Sequence, residues 1–117
     1  MSEFALDIEK TLKDLISTNK YFQFSADWCP DCQYANSIWT KYDLTHKLFI
    51  FDIGSFSKPD QEKWRATFQT ITGTRNLPTI LVDGKIWGTE KELHEHEDNG
   101  TLEDELKNLV FYKHYHL

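Results

Sequence analysis

The 117-residue chain is poor in sulfur, with two cysteines and one methionine, so it should fold without disulfide staples. Long apolar runs are also missing. The longest, such as Leu48 to Phe51 and Thr79 to Val82, fall far short of the roughly 20 residues that span a bilayer, and no transmembrane helix is expected. The first twenty residues, MSEFALDIEKTLKDLISTNK, lack the basic start and continuous apolar block of a signal peptide, which favours a cytoplasmic protein. Positive charge is scarce: 13 Lys and Arg stand against 19 Asp and Glu, for a formal charge of -6, and the basic residues are scattered. That argues against nucleic acid or an anionic membrane as partner, since both recruit clustered cations. No internal repeat or low-complexity segment occurs. What the chain does have is 39% hydrophobic and 15% aromatic residues, enough for a compact interior. Its length predicts a single domain over 1–117, expected to be a monomer, with the tail 111–117 unreadable.

Phe4, Ile8, Leu12, Leu15 and Ile16 recur at steps of three and four, which predicts an amphipathic first helix ending at Asn19 and Lys20. Tyr21-Phe-Gln-Phe24 reads as a short buried strand. A second helix starts at Cys29-Pro-Asp-Cys32, with Cys32, Ala35, Trp39 and Tyr42 on one side. Residues 47–53 form a strand by apolar and aromatic density, and a third helix runs from Pro59, with Trp64, Phe68 and Ile71 inward, to a stop at Gly73. Asp83-Gly84 between two β-forming runs predicts a hairpin. Thr89 with Glu92 makes a capping box for a helix reaching about His96, and Gly100-Thr101 restarts a last helix bearing Leu102, Leu106, Leu109 and Val110. The order α-β-α-β-α-β-β-α-α implies an α/β fold. Its crossover gives a parallel strand pair and its hairpin an antiparallel edge, so a four-stranded mixed sheet flanked by helices on both faces is expected.

The chemistry concentrates in SADWCPDC, residues 25–32. Disulfide exchange needs a thiolate, and an ordinary cysteine supplies little at neutral pH. At a helix start, Cys29 receives unpaired backbone N–H groups and the positive end of the helix dipole, which favour the anion. Pro30 suits the first helical turn, where its missing N–H is harmless. Cys32, one turn on, shares the face of Cys29 and can attack a mixed disulfide formed there. Cys29 is thus read as the attacking thiol and Cys32 as the resolving one. Asp31 opposes the trend, because a nearby carboxylate disfavours a second negative charge. Three blander readings compete. The pair could be inert core thiols, but a strand-to-helix junction in a sulfur-poor chain has little packing need for two. It could be half of a zinc site, but there is no second CxxC, and His46, His94 and His96 are distant in sequence, so no metal is expected. Pro78 could be only an edge device. A cis-proline there would instead leave the backbone of Leu77 to pair with an extended substrate beside Cys29.

The WCxxC at a strand-to-helix junction, Leu77-Pro78-Thr79 and the element order resemble the thioredoxin superfamily over nearly the whole chain. The finer resemblance is to glutaredoxins, through Gly73-Thr-Arg-Asn-Leu-Pro78, Asp83-Gly-Lys, Gly88-Thr89 and the spacing of Gly100-Thr-Leu and Leu106. CPDC followed by YANSIW, FDIGS, QEKWR, RNLPTI and WGTE is similar to the divergent fungal glutaredoxin-8 type. That resemblance implies a thioredoxin-fold, glutathione-dependent thiol-disulfide oxidoreductase acting on protein or low-molecular-weight disulfides, with glutathione as reducing co-substrate. Cys29 would be the nucleophile and Cys32 the resolving thiol. Leu77, next to cis-Pro78, would pair with the cysteinyl part of glutathione. Glu92 would receive its γ-glutamyl amine, and backbone N–H groups near Lys91 would hold its carboxylate. Three departures imply a member of low activity: Ala26 stands where the family carries a basic residue, Asp31 replaces the motif tyrosine, and Thr89 replaces the second glycine of a pair. Trp28-Cys-Pro-Asp-Cys32 also resembles thioredoxin-related proteins reduced by thioredoxin reductase, although Gln23 stands where thioredoxins carry a buried acid. A redox-inert peptide-binding module built on the Pro78 edge is the remaining reading.

Overall fold

The computed structural model describes residues 3–109, with side chains from residue 7 onward. Helix α1 spans Glu3–Thr18, strand β1 Tyr21–Ser25 and helix α2 Pro30–Lys41. A single 3-10 turn, Thr45–Lys47, leads into β2, Phe49–Asp52, and then α3, Lys58–Thr72. The hairpin strands are β3, Thr79–Val82, and β4, Lys85–Gly88, followed by α4, Glu90–Asn99, and α5, Leu102–Asn108. The sheet order is β2-β1-β3-β4, with β1 parallel to β2 and antiparallel to β3, and β3 antiparallel to β4.

Strand β1 is buried throughout because both of its faces are covered. Phe22 and Phe24 point to one face, where Phe24 stacks on Phe68 of α3 with ring centroids 4.1 Å apart and Ile8 and Leu12 of α1 complete the core. Tyr21 points to the other face, toward Ala35, Ile38 and Trp39 of α2, Leu93 of α4, and Leu102 and Leu106 of α5. The Tyr21 hydroxyl donates to the Leu109 carbonyl at 2.6 Å, tying the last helix to the central strand. Asp83 and Gly84 both take positive φ, 52° and 78°, the two-residue turn that matches the twist of a hairpin.

Strand β1 runs one residue past Phe24, to Ser25, and three further element boundaries differ from the sequence expectation. Strand β2 is shorter than 47–53 because Thr45–Lys47 curls into the 3-10 turn; Ile53 keeps a single sheet-like bond, its N–H donating to the Ser25 carbonyl at 2.9 Å. Helix α3 begins one residue before Pro59, since the Ser57 hydroxyl accepts from the Asp60 N–H and caps it. Helix α4 passes His96 and ends at Asn99, where Gly100 adopts the left-handed conformation at φ 70°. The expected inward side chain of Phe4, the place of Val110 and the tail Phe111 to Leu117 lie outside the described residues.

Candidate active site

Cys29 is the N-cap of α2, with extended backbone (φ −90°, ψ 120°), and Pro30 occupies the first turn. Its side chain makes no capping bond to the backbone, so the first-turn N–H groups have no acceptor on the N-cap side chain. The loop that presents Cys29 is held from three sides. The Cys29 N–H donates to the Ala26 carbonyl at 3.1 Å, Gln33 Nε2 to the Asp27 carbonyl at 2.9 Å, and the Asp27 N–H to Asp52 Oδ1 at 3.0 Å. Asp52 Oδ1 also accepts from the Gly54 N–H at 2.8 Å, which joins the end of β2 to the same loop.

Cys29 is 8% exposed and Cys32 is 0% exposed, and both are free thiols. Cys32 Sγ accepts from the Ala26 N–H at 3.5 Å. Burial pushes the Cys32 thiol up to about 12, against opposing hydrogen bonds from the Ser25 side chain and the Ala26 N–H. The outer sulfur is therefore the one a substrate can reach, and the inner one waits as a thiol behind it. Cys29 Sγ also lies 3.7 Å from the Leu77 carbonyl oxygen, and the Leu77-Pro78 peptide is cis, as expected.

A cleft of about 500 Å³ opens beside Cys29, lined by Trp28, Asp31, Arg65, Asn76, Leu77, Thr89, Glu90 and Lys91. Its size suits a small organic ligand. Of the residues singled out from sequence, Trp28, Cys29, Asp31, Leu77, Thr89 and Lys91 meet in this cleft. Ala26 is fully enclosed in the core with Cys32, so no side-chain cation comes from that position. Glu92 is turned into the capping box: Oε1 accepts from the Thr89 N–H at 2.7 Å and from its hydroxyl at 3.2 Å, while the Lys91 N–H donates to Thr89 Oγ1 at 3.2 Å. The Thr89 N–H bond, first among several, holds the Glu92 carboxyl below the usual carboxylate range.

Sequence reasoning passed over Arg65, Gln61, Asn76 and Glu90. Arg65 donates through Nε and Nη2 to the Arg75 carbonyl at 3.3 and 2.9 Å and faces the cleft. Gln61 accepts the indole N–H of Trp28 at 3.0 Å and donates to the Phe56 carbonyl at 2.9 Å, fixing a ring that is otherwise 51% exposed. A spacing of four on α3 puts Gln61 and Arg65 on one helix face, the only local signal that they act together. Among the described residues no cluster of three or more His, Cys, Asp or Glu side chains is arranged to hold a metal ion. His94 instead stacks on Tyr34 with centroids 3.8 Å apart.

A scan against protein-family models gives no match. The chain is 54% identical over 109 residues to Glutaredoxin-8 of Saccharomyces cerevisiae, covering 93% of this chain and 96% of that protein. The solution structure of the yeast dithiol glutaredoxin of that number superposes with a TM-score of 0.83 at 52% identity, over 91% of this chain and 97% of the other. The crystal structure of a buckwheat glutaredoxin-glutathione complex shares the fold, with a TM-score of 0.69 at 21% identity over 94% of this chain and 97% of that one. With two thiols stacked at the start of α2, a cis-proline strand beside them and this degree of identity, the chain belongs to the glutaredoxin family and is a thiol oxidoreductase of the fungal glutaredoxin-8 type.

Proposed function

We propose that the chain is a dithiol, glutathione-dependent disulfide reductase of low activity. The observation that carries the reading is the order of the two sulfurs, with Cys29 at the mouth of the cleft and Cys32 fully enclosed behind it. Cys29 thiolate attacks a protein or small-molecule disulfide, forming a mixed disulfide and releasing one product thiolate. Cys32 then attacks Cys29 Sγ, releases the second thiolate and leaves the Cys29–Cys32 disulfide. One glutathione opens that bond at Cys29, and a second takes off the first as glutathione disulfide, so two thiols supply the two electrons.

Glutathione carries two carboxylates and one ammonium group, and the cleft offers matching charges. Arg65 and Lys91 bring cations to it and Glu90 an anion, with Glu92 just behind at the start of α4. The Leu77 backbone and Thr89 complete the expected contacts, and a buckwheat protein of the same fold has been solved with glutathione. Three features hold the rate down: the apolar Ala26, the Asp31 carboxylate at the cleft, and the bulk of Thr89. The protein works in the cytoplasm as a monomer in this reading.

The deciding experiment supplies oxidised protein and NADPH with either glutathione plus glutathione reductase or thioredoxin plus thioredoxin reductase. Faster reduction by the glutathione system is expected, and faster reduction by the other would replace this reading with a thioredoxin-related one. Cys29→Ser should abolish disulfide reductase activity; retained activity would overturn the roles of the thiols. A redox-inert peptide-binding module is the answer if oxidation leaves the fluorescence of Trp28, next to Cys29, unchanged. Asp31→Tyr, at the cleft, should raise the glutathione-dependent rate, and an unchanged rate would sink the account of low activity.

A further inference from the structure

Trp28 stands between two clefts. One is the cleft beside Cys29. The other, of about 680 Å³, is lined by Gly54 and Phe56 of the loop after β2 and by Lys58, Gln61 and Glu62 of α3. Trp28 and Arg65 line both, so the second cleft continues the first past the reacting sulfur. Its wall is fixed in advance. The indole N–H donates to Gln61 Oε1 at 3.0 Å, and since an indole nitrogen can only donate, Gln61 turns its oxygen to the ring and its Nε2 to the loop. There Nε2 donates to the carbonyls of Phe56 at 2.9 Å and Gly54 at 3.3 Å. One side chain thus ties the ring to the loop, while half of the ring stays open to water. A large aromatic already held in place loses little freedom when a partner covers it. The charge of the cleft is one-sided too. Lys58 is exposed and forms no ion pair among the described residues, and Arg65 adds a second cation. Glu62, the anion among the lining residues, is taken by Arg75 Nη2 at 2.5 Å. On a chain of formal charge -6 this is a local excess of positive charge beside an apolar surface.

We propose that this second cleft holds the chain of a protein substrate beside its reacting cysteine, and that it selects an aromatic or large aliphatic side chain adjoining a carboxylate. Such a role rests on the disulfide reductase reading above and adds the part of the substrate that lies beyond the disulfide. An extended chain advances about 3.3 Å per residue, so a residue one or two places from a cysteine held at Cys29 passes the indole and comes to Phe56 and Lys58. The apolar side chain lies on Trp28 and Phe56, and the carboxylate meets Lys58 and Arg65. A small disulfide is too short to reach past the indole, so it gains nothing from this cleft. The acidic preference runs against the long-range field, since a chain of net negative charge draws basic peptides from a distance. Local contact and overall charge therefore make opposite predictions.

Three peptides test this, alike except for the two residues on each side of a central cysteine: Phe with Asp, Phe with Lys, or Gly with Asp. Each cysteine is capped as a mixed disulfide with thionitrobenzoate. When the reduced full chain is added, Cys29 bonds the peptide sulfur, the bond from that sulfur to the cap breaks, and thionitrobenzoate leaves as a coloured thiolate. Its release times the attack with the peptide in place. The peptide with Phe and Asp should react about three- to tenfold faster than either of the others at low salt. Its lead over the Lys peptide should shrink as salt rises. Lys58→Glu puts an acid at a helix start, where it is well tolerated, and should narrow or reverse the preference for Asp over Lys. The same variant should attack the neutral bis(2-hydroxyethyl) disulfide at the wild-type rate. Lys107→Glu makes the same change of charge on α5, across the sheet from α3, and should keep the wild-type preference. Equal rates for the three peptides would overturn the proposal, and so would a preference that both variants alter alike. Release from none of the peptides would instead overturn the reductase reading itself.

Discussion

Gly54 sits against the loop that carries Trp28 so closely that a β-carbon there would stand 2.9 Å from the Asp27 backbone nitrogen and run into its carboxylate. Backbone cannot give way cheaply, so Gly54→Ala should cost about 1–3 kcal/mol and pull Trp28 and Cys29 out of place. A fall in the urea midpoint together with a fall in disulfide reductase activity is expected; a variant with full stability and activity would show that the loop is softer than its hydrogen bonds suggest. At this scale the sequence was legible where chemistry is local. Cys29, Pro30 and Cys32 declare themselves within one turn of helix. Gln61 does not, because it is 33 residues from Trp28 and only the packing of α3 brings its carbonyl oxygen to the indole.

Helix α4 shows an element whose start was readable and whose use was not. Thr89 and Glu92 form the capping box the spacing predicted, each side chain bonded to the other's backbone. Thr89→Ala should cost about 1 kcal/mol, read from urea unfolding. Glu92 adds a pH dependence. Its folded carboxyl is held below the ordinary range, chiefly by the Thr89 N–H, so the unfolded state takes up its proton first as pH falls. The stability it contributes is fully present above the ordinary glutamate range and is lost as pH falls through the lowered value. The gap in urea midpoint between wild type and Glu92→Gln should accordingly be widest near neutrality and close in acid; a gap that does not change with pH would mean the carboxylate charge is irrelevant to the cap. Gly88 belongs to the same device, since a β-carbon there would press 2.7 Å from Glu92 Cγ. Nothing in a sequence window states that approach.

Two hydrophobic clusters fill the molecule, one on each face of the sheet, and β1 contributes to both. Neither face can open without exposing the central strand, so unfolding should be a single transition seen alike by far-UV circular dichroism and tryptophan fluorescence. Phe68→Ala, which empties the ring stacked on Phe24, should lower stability by about 3–5 kcal/mol while keeping the two signals coincident. Separate midpoints for the two probes would mean that the faces come apart independently. The active site depends on this shared strand: the N–H of Ala26, just past its end, donates to Cys32 Sγ, and the Ser25 carbonyl accepts from Ile53 at the end of β2.

The sequence by itself determined the reaction class, the sheet and its hairpin, and the helix that starts at Cys29, because each rests on periodicity or spacing within a few residues. Only the tertiary structure decided which charges reach the cleft and which partners the enclosed polar groups find. Arg65 comes to Cys29 from α3, and Trp39 and Gln23 meet between α2 and β1. A hydrogen bond depends on distance and direction in space, and neither is written in the separation of two residues along a chain.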